Sequence, residues 1–188
     1  MNRTEVKQAA EMLQRGGIIL YPTDTIWGIG CDATNRESVQ KIYRIKRRDD
    51  RKSMLVLVNS IDMLKTYIRD FPPQAHNILR EAKKPTTIIY PDARNLAENL
   101  LAPDGSIGIR ITSDPFCRTL MDETGFPLVS TSANFSGEQA PDIFGRIKSG
   151  IREQVDYVVN WRQDDPTASS PSALIKLESD GSIVVLRS

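Results

Sequence analysis

Apolar side chains recur at Val6, Ala9, Ala10 and Leu13, the spacing of one helix face, so a helix through about Arg15 is the first element predicted. Thr4 is placed to cap it and Gly16-Gly17 to stop it. The run Ile18-Ile19-Leu20 then has the length and branching of a buried strand, broken at Pro22, which cannot donate to a sheet ladder. Asn35 is placed to cap a second helix, in which Val39, Ile42, Tyr43 and Ile45 recur at near-helical spacing. Met54 to Val58 is apolar without alternation, as in a strand covered on both faces. Ser60 opens a helix near residues 61–69, and Pro72-Pro73 restarts helical pattern through Ala82. Strands are predicted at Thr86–Tyr90 and Ile107–Ile111, and Asp114-Pro115 opens a helix that Gly125 closes. After a short strand at Pro127–Ser130, a helix around 142–149 and a strand near 156–160 follow. The chain ends in a hairpin, Ala173–Glu178 and Ile183–Arg187, around the turn signal Asp180-Gly181. Early alternation of helix and strand with an antiparallel end predicts a mixed α/β sheet with helices on its faces.

Length changes little in this picture: 188 residues suffice for one domain, expected to span 1–188, whose core needs neither disulfide nor metal. A net charge of +1 singles out neither nucleic acid nor membrane, so any electrostatic argument rests on local clustering. Cys31 and Cys117 are far apart without metal-ligand spacing, and are read as small buried hydrophobes. Reduced thiols, no apolar signal region after Met1 and no run of membrane-spanning length together predict a cytoplasmic protein with no membrane partner. Gln163 to Pro171, polar and without period, is the best candidate for a mobile loop.

The candidate chemistry begins with absences. Neither a GxxxxGK[ST] phosphate loop nor a GxGxxG fingerprint occurs, and His76, the one histidine, excludes most metal sites and acid–base relays. What remains is the stretch Tyr21 to Gly30, where Thr23 and Thr25 flank Asp24 and two glycines permit close backbone approach. It reads either as the floor of a small-molecule site or as a loop whose Asx-turn and threonine hydroxyls merely cap neighbours. Cations then accompany hydroxyls at element ends. Lys46, Arg48 and Lys52 follow a helix, Arg110 interrupts an Ile-flanked strand, and Arg187 ends the last strand. Ser130, Thr131, Ser132, Asn134 and Ser136 share one loop, and Thr86-Thr87 begin a strand. Such groups neutralise and orient a polyphosphate or carboxylate, although 46–52 also reads as a solvated helix end favoured by the dipole. Arg110 demands a partner, because a strand does not bury an unpaired guanidinium.

Three separated motifs then resemble one family. Tyr21-Pro-Thr-Asp-Thr25 with Gly28 resembles the YPT[DE]TxYGL start of the YrdC-like threonylcarbamoyl-AMP synthases. Lys46-Arg-Arg48 with Lys52 is similar to that family's KxR…KPL segment, and Ser132-Ala-Asn134 to its SxN motif. Arg110 resembles the VRxP arginine, Thr87 the PGPxT threonine, Ser172 the STxxD serine and Arg187 the closing LRxG arginine. The chain departs from the pattern at Trp27 for Tyr, Ser53-Met54 for Pro-Leu, Leu57 for His, Lys83-Lys84-Pro85-Thr86 for Pro-Gly-Pro, and Ala173 for Thr.

The resemblance implies an α/β fold, a YrdC-like twisted mixed parallel/antiparallel sheet flanked by helices around a concave cleft, in the short single-domain form. It implies an enzyme making threonylcarbamoyl-AMP and pyrophosphate from L-threonine, bicarbonate or CO2 and ATP, for a tRNA-modification machinery that accepts the product. On this resemblance Lys46 and Arg48 are the catalytic candidates. The ATP ligands are then Lys46, Arg48, Lys52, Thr87, Ser132, Asn134 and Arg187, and the threonine ligands Thr25, Arg110, Ser130 and Ser172. No protein metal site is expected. Mg2+ would be held mainly by phosphates, with Asp24 the one nearby carboxylate that could contribute. Two alternatives stand beside this reading: a non-catalytic nucleotide- or RNA-binding module, with direct tRNA contact, and a YciO-branch paralogue with another acyl acceptor.

Overall fold

The computed structural model describes residues 3–49, 53–178 and 180–188, so Lys52 lies outside the described residues. Its centre is a nine-stranded sheet. The strands in chain order are β1 (Ile19–Tyr21), β2 (Gly28–Gly30), β3 (Leu55–Val58), β4 (Thr86–Tyr90), β5 (Ile107–Ile111), β6 (Leu128–Ser132), β7 (Tyr157–Val158), β8 (Ala173–Leu177) and β9 (Ile183–Arg187). The helices are α1 (Arg3–Gln14), α2 (Arg36–Lys46), α3 (Ile61–Tyr67), α4 (Pro73–Glu81), α5 (Pro115–Thr124) and α6 (Ser149–Arg152). Across the sheet the order is β7-β1-β2-β6-β3-β5-β4-β8-β9. Pairing is parallel at β1/β7, β3/β5 and β4/β8 and antiparallel elsewhere, the mixed sheet expected from the sequence.

Period-two alternation gives the two faces different tasks. Val56, Val58, Ile88, Tyr90, Ile107, Ile109 and Val129 point to one face and join Val39, Ile42 and Tyr43 of α2 and Leu64 of α3 in the larger core. On the opposite face Ile19, Tyr21, Leu57 and Leu128 are covered by Val6, Ala9 and Leu13 of α1 and Phe116, Leu120 and Met121 of α5. That helical cover stops where the same face turns polar: two residues beyond Leu128 stands Ser130, and beside Leu57 in register stands Arg110. The uncovered part of this face is a cavity.

Local signals placed most elements. Asn35 Oδ1 accepts from the backbone N–H groups of Glu37 and Ser38, Ser60 caps α3, and Asp114 caps α5 by accepting from Cys117 N at 2.9 Å. Cys31 and Cys117 are buried free thiols. Four expectations are corrected. Thr4 lies inside α1, which already runs at Arg3, and so does not cap it. Gly28 and Gly30 form a strand instead of a loop: a Cβ on Gly30 would lie 2.4 Å from the Val129 carbonyl oxygen, so only glycine lets β2 pair under the Tyr21 ring. The helix expected around 142–149 is a 3-10 turn, Phe144–Arg146, and the separate one-turn α6, joined through extended Lys148. β6 continues to Ser132 because Gly28 and Ile29 pair with Ser132 and Thr131.

Candidate active site

The cavity on the open sheet face measures about 480 Å³, a size suited to a small organic ligand. Register builds it. Gly28 faces Ser132, Leu55 faces Ser130, Ile89 faces Gly108, Thr87 faces Leu174, and Leu174 faces Arg187, so neighbouring strands present these lining residues on one face. Gly108 keeps the floor low, since a Cβ there would already stand 3.2 Å from Thr87.

Eight residues predicted from the sequence line this one space: Thr25, Arg48, Thr87, Arg110, Ser130, Ser132, Ser172 and Arg187. Arg110 has the partner that its burial demands. Its Nη2 donates to Asp24 Oδ1 at 3.0 Å and to Thr25 Oγ1 at 3.1 Å, while Nε has no acceptor among the described residues. Asp24 therefore makes no Asx-turn; its other oxygen accepts from Ser113 N at 3.3 Å. Thr23 does form the local turn, donating to Ile26 O at 2.8 Å and accepting from Thr25 N at 3.0 Å. The stretch is thus both a capped turn and a cavity wall. Arg162, for which the sequence carried no signal, supports it from behind by donating to Thr23 O and Asp114 Oδ2.

On the opposite wall the Thr87 and Ser172 hydroxyls are hydrogen-bonded at 2.8 Å, and Arg187 Nε donates to Ser172 O at 2.8 Å. The last strand thereby fastens residue 172 against β4. Trp27 closes one end, its ring 4.8 Å from that of Phe144. Arg48 reaches the cavity after donating to Ser53 O at 2.8 Å, and burial lowers its pKa from the ordinary arginine value.

Lys46 and Asn134 are not among the lining residues. Lys46 is no solvated helix end: it is fully buried, and its ammonium donates to the Ser132 carbonyl and, at 2.7 Å, to the Asn134 carbonyl. Burial, with the Arg48 cation adding to it, pulls its pKa down to about 7. Asn134 Nδ2 donates to Phe135 O and Glu138 O. Both residues shape the loop that carries Ser132 from behind the wall. Lys176 is a lining residue without a sequence expectation, paired with Glu178 at 3.1 Å. Like Arg110, it is a cation inside an apolar strand.

The lining contains cations and hydroxyls but no Asp, Glu, His or Cys among the described residues. Nor do the described residues gather three metal-ligating side chains at any point. No described helix is long and apolar enough to cross a membrane. Chemically, the site can hold anions and orient them, and supplies no carboxylate or imidazole base.

Known proteins share this architecture. The structure resembles that of Pyrococcus abyssi Sua5 complexed with L-threonine, with a TM-score of 0.87 at 19% identity, covering 100% of this chain and 54% of that one. It resembles Escherichia coli YciO with a TM-score of 0.85 at 25% identity, covering 99% and 89% of the two chains. Among curated proteins, the threonylcarbamoyl-AMP synthase of Saccharophagus degradans is 33% identical over 185 residues, 95% of this chain and 93% of the relative. That of Marinobacter nauticus is 31% identical over 153 residues, 80% of each. The Sua5_yciO_yrdC family profile, described as telomere recombination, matches residues 11–188. With a match that long, and with the motif residues gathered on one sheet face, the chain belongs to the Sua5/YciO/YrdC family.

Proposed function

We propose that this protein is a threonylcarbamoyl-AMP synthase, a nucleotidyltransferase that joins L-threonine, bicarbonate or CO2 and ATP. The observation that carries the reading is the composition of the cavity wall: arginines and hydroxyls, with no acidic or imidazole side chain among the described lining residues. A threonine amine that has taken up CO2 is a carbamate, already anionic. Its oxygen forms a bond to the α-phosphorus while the Pα–O bond to pyrophosphate breaks. Such a reaction asks the protein to position two anions and offset their charge, and a general base is dispensable.

Within this reading Arg48, Ser132, Thr87 and Arg187 hold the nucleotide, together with Lys52 from the segment outside the described residues. Lys46 and Asn134 act on the nucleotide through the loop that presents Ser132. Thr25, Ser130 and Ser172 contact the amino acid, and the unpartnered Nε of Arg110 faces its carboxylate. Mg2+ arrives with ATP as part of the substrate, on phosphate oxygens and water, since both oxygens of Asp24 are engaged. The product feeds a tRNA-modification machinery. The resemblance to YciO supports a second reading, a related synthase with a different acyl acceptor.

The test is pyrophosphate release by the purified protein. Release that requires both L-threonine and bicarbonate and is lost in Arg48→Ala supports the synthase. Release with another amine selects the second reading, and none with any amine overturns both.

A further inference from the structure

A second cavity, of about 580 Å³, lies outside the site described above. Its floor is apolar, from Ile61 and Leu79 under α3 and α4 and from Ile111 at the end of β5. Its rim is cationic. His76 and Arg80 are one helical turn apart on α4, and Lys83 and Lys84 follow directly in the connection to β4. The lysines are exposed and make no ion pair among the described residues, whereas Arg80 is shared with Glu81 at 3.4 Å.

A helix C-terminus favours cations through its dipole, and that accounts for Arg80 in the last turn of α4. Lys83 and Lys84 lie beyond the cap at Ala82, where the dipole's effect fades. Their segment is held in place: Pro85 disfavours a helical Lys84, and Thr86 Oγ1 donates to Lys84 O at 3.0 Å. The chain as a whole carries a net charge of only +1, so three permanent cations and the sole histidine on one rim are a local concentration. Among the described residues the one acidic side chain lining this cavity is Asp24, and its charge is offset by Arg110 across the wall shared with the first cavity.

We propose that this second cavity is a binding site for a compact oligophosphate, of which inorganic pyrophosphate is the simplest. Pyrophosphate fits the arrangement because cations from one nine-residue stretch, 76–84, border a single open cavity. RNA would call for cations spread along a face at phosphate spacing. The site is separate from the nucleotide cleft, so its occupancy does not depend on the proposed synthase reaction being correct. If that reading also holds, the site binds the reaction's own by-product.

His76 makes the proposal directly measurable, because the only histidine in the chain gives one unambiguous imidazole NMR signal. In the full-length protein, at fixed pH and ionic strength, added pyrophosphate is expected to shift that signal saturably. The shift should persist with a non-hydrolysable ATP analogue saturating the first cavity. In Lys83→Ala/Lys84→Ala the apparent Kd should rise at least tenfold, while ATP binding and thermal unfolding stay unchanged. Loss of the shift on saturation with the ATP analogue would assign pyrophosphate to the first cavity and overturn the proposal. So would an unaltered Kd in the double variant, a response to orthophosphate of equal strength, or a variant that loses binding of RNA but not of pyrophosphate.

Discussion

Arg110 and Asp24 form a buried ion pair, Nη2 to Oδ1 at 3.0 Å, with side chains only 2% and 7% exposed. Desolvating both groups is costly, and the pair is tolerated because Thr25 and Ser113 N complete the network. Its worth to the fold is therefore small compared with the cost of breaking it. Asp24→Ala, which strands a buried guanidinium, is expected to lower stability by about 3–5 kcal/mol in urea unfolding. Asp24→Ala/Arg110→Met should recover most of that loss yet show no synthase turnover. A double variant as unstable as the single one would mean that the pair stabilises the fold outright.

Arg48 separates binding from folding. It donates to Ser53 O and lines the cavity. Arg48→Ala is expected to weaken ATP binding by about tenfold or more, the worth of one charge-assisted hydrogen bond. The L-threonine Kd should change by less than about threefold. Calorimetric titration of each substrate reads both numbers, and equal losses would place Arg48 in a shared structural role.

The buried Lys46 leaves a signature in stability against pH. Its folded-state pKa of about 7 lies below the ordinary lysine value, so between these values the unfolded chain binds more protons than the native one. Stability is therefore penalised at neutral pH and rises as the ammonium deprotonates in the fold. Between pH 7 and 8.5 the wild type should gain about 1 kcal/mol per pH unit relative to Lys46→Met, whose unfolding free energy lacks this slope. The buried Cys31 and Cys117 thiols, held above their usual range, give both proteins the opposite slope at higher pH and cancel in the comparison. Parallel curves for the two proteins would show that Lys46 titrates normally.

Gly30 sets how closely β2 approaches β6. A methyl group there meets the Val129 carbonyl oxygen at 2.4 Å and the Tyr21 ring at 2.6 Å, and neither backbone nor packed ring can yield. Gly30→Ala is expected to cost at least about 1–3 kcal/mol, as overpacking does, and Gly145→Ala, in open space, close to nothing. Thermal unfolding of the two variants compares them directly.

Much of this site was legible because its residues violate the patterns around them. Arg110 stands out within Ile107–Ile111, and the hydroxyl run at 130–136 stands out after Val129. What could not be read was direction. Lys46 and Arg48 are two residues apart on the same basic segment, yet one turns inward to carbonyls and the other to the cavity. The cap at Arg47, in left-handed conformation, decides this, and no side-chain pattern announces a non-glycine residue there. Gly28-Ile29-Gly30 escaped notice as a strand because glycine is a poor strand former, and it pairs here through tertiary constraint alone. Lys176 stands in an apolar strand as Arg110 does, but its hairpin carries no polar cluster that would mark it as part of a site.

The central strands are one residue thick, and Thr87, Gly108, Arg110 and Ser130 on the cavity floor are each covalently flanked by a residue of the helix-side core. Ile88 lies between Thr87 and Ile89, Ile109 between Gly108 and Arg110, and Val129 precedes Ser130. A change of one methylene in that core reaches the ligand-facing side chain through a single peptide unit. Altered amine selectivity can therefore arise from substitutions at Ile88, Ile109 or Val129 that never meet a substrate. A selection for new acceptors restricted to the lining residues would pass over these positions, which also set the shape of the floor.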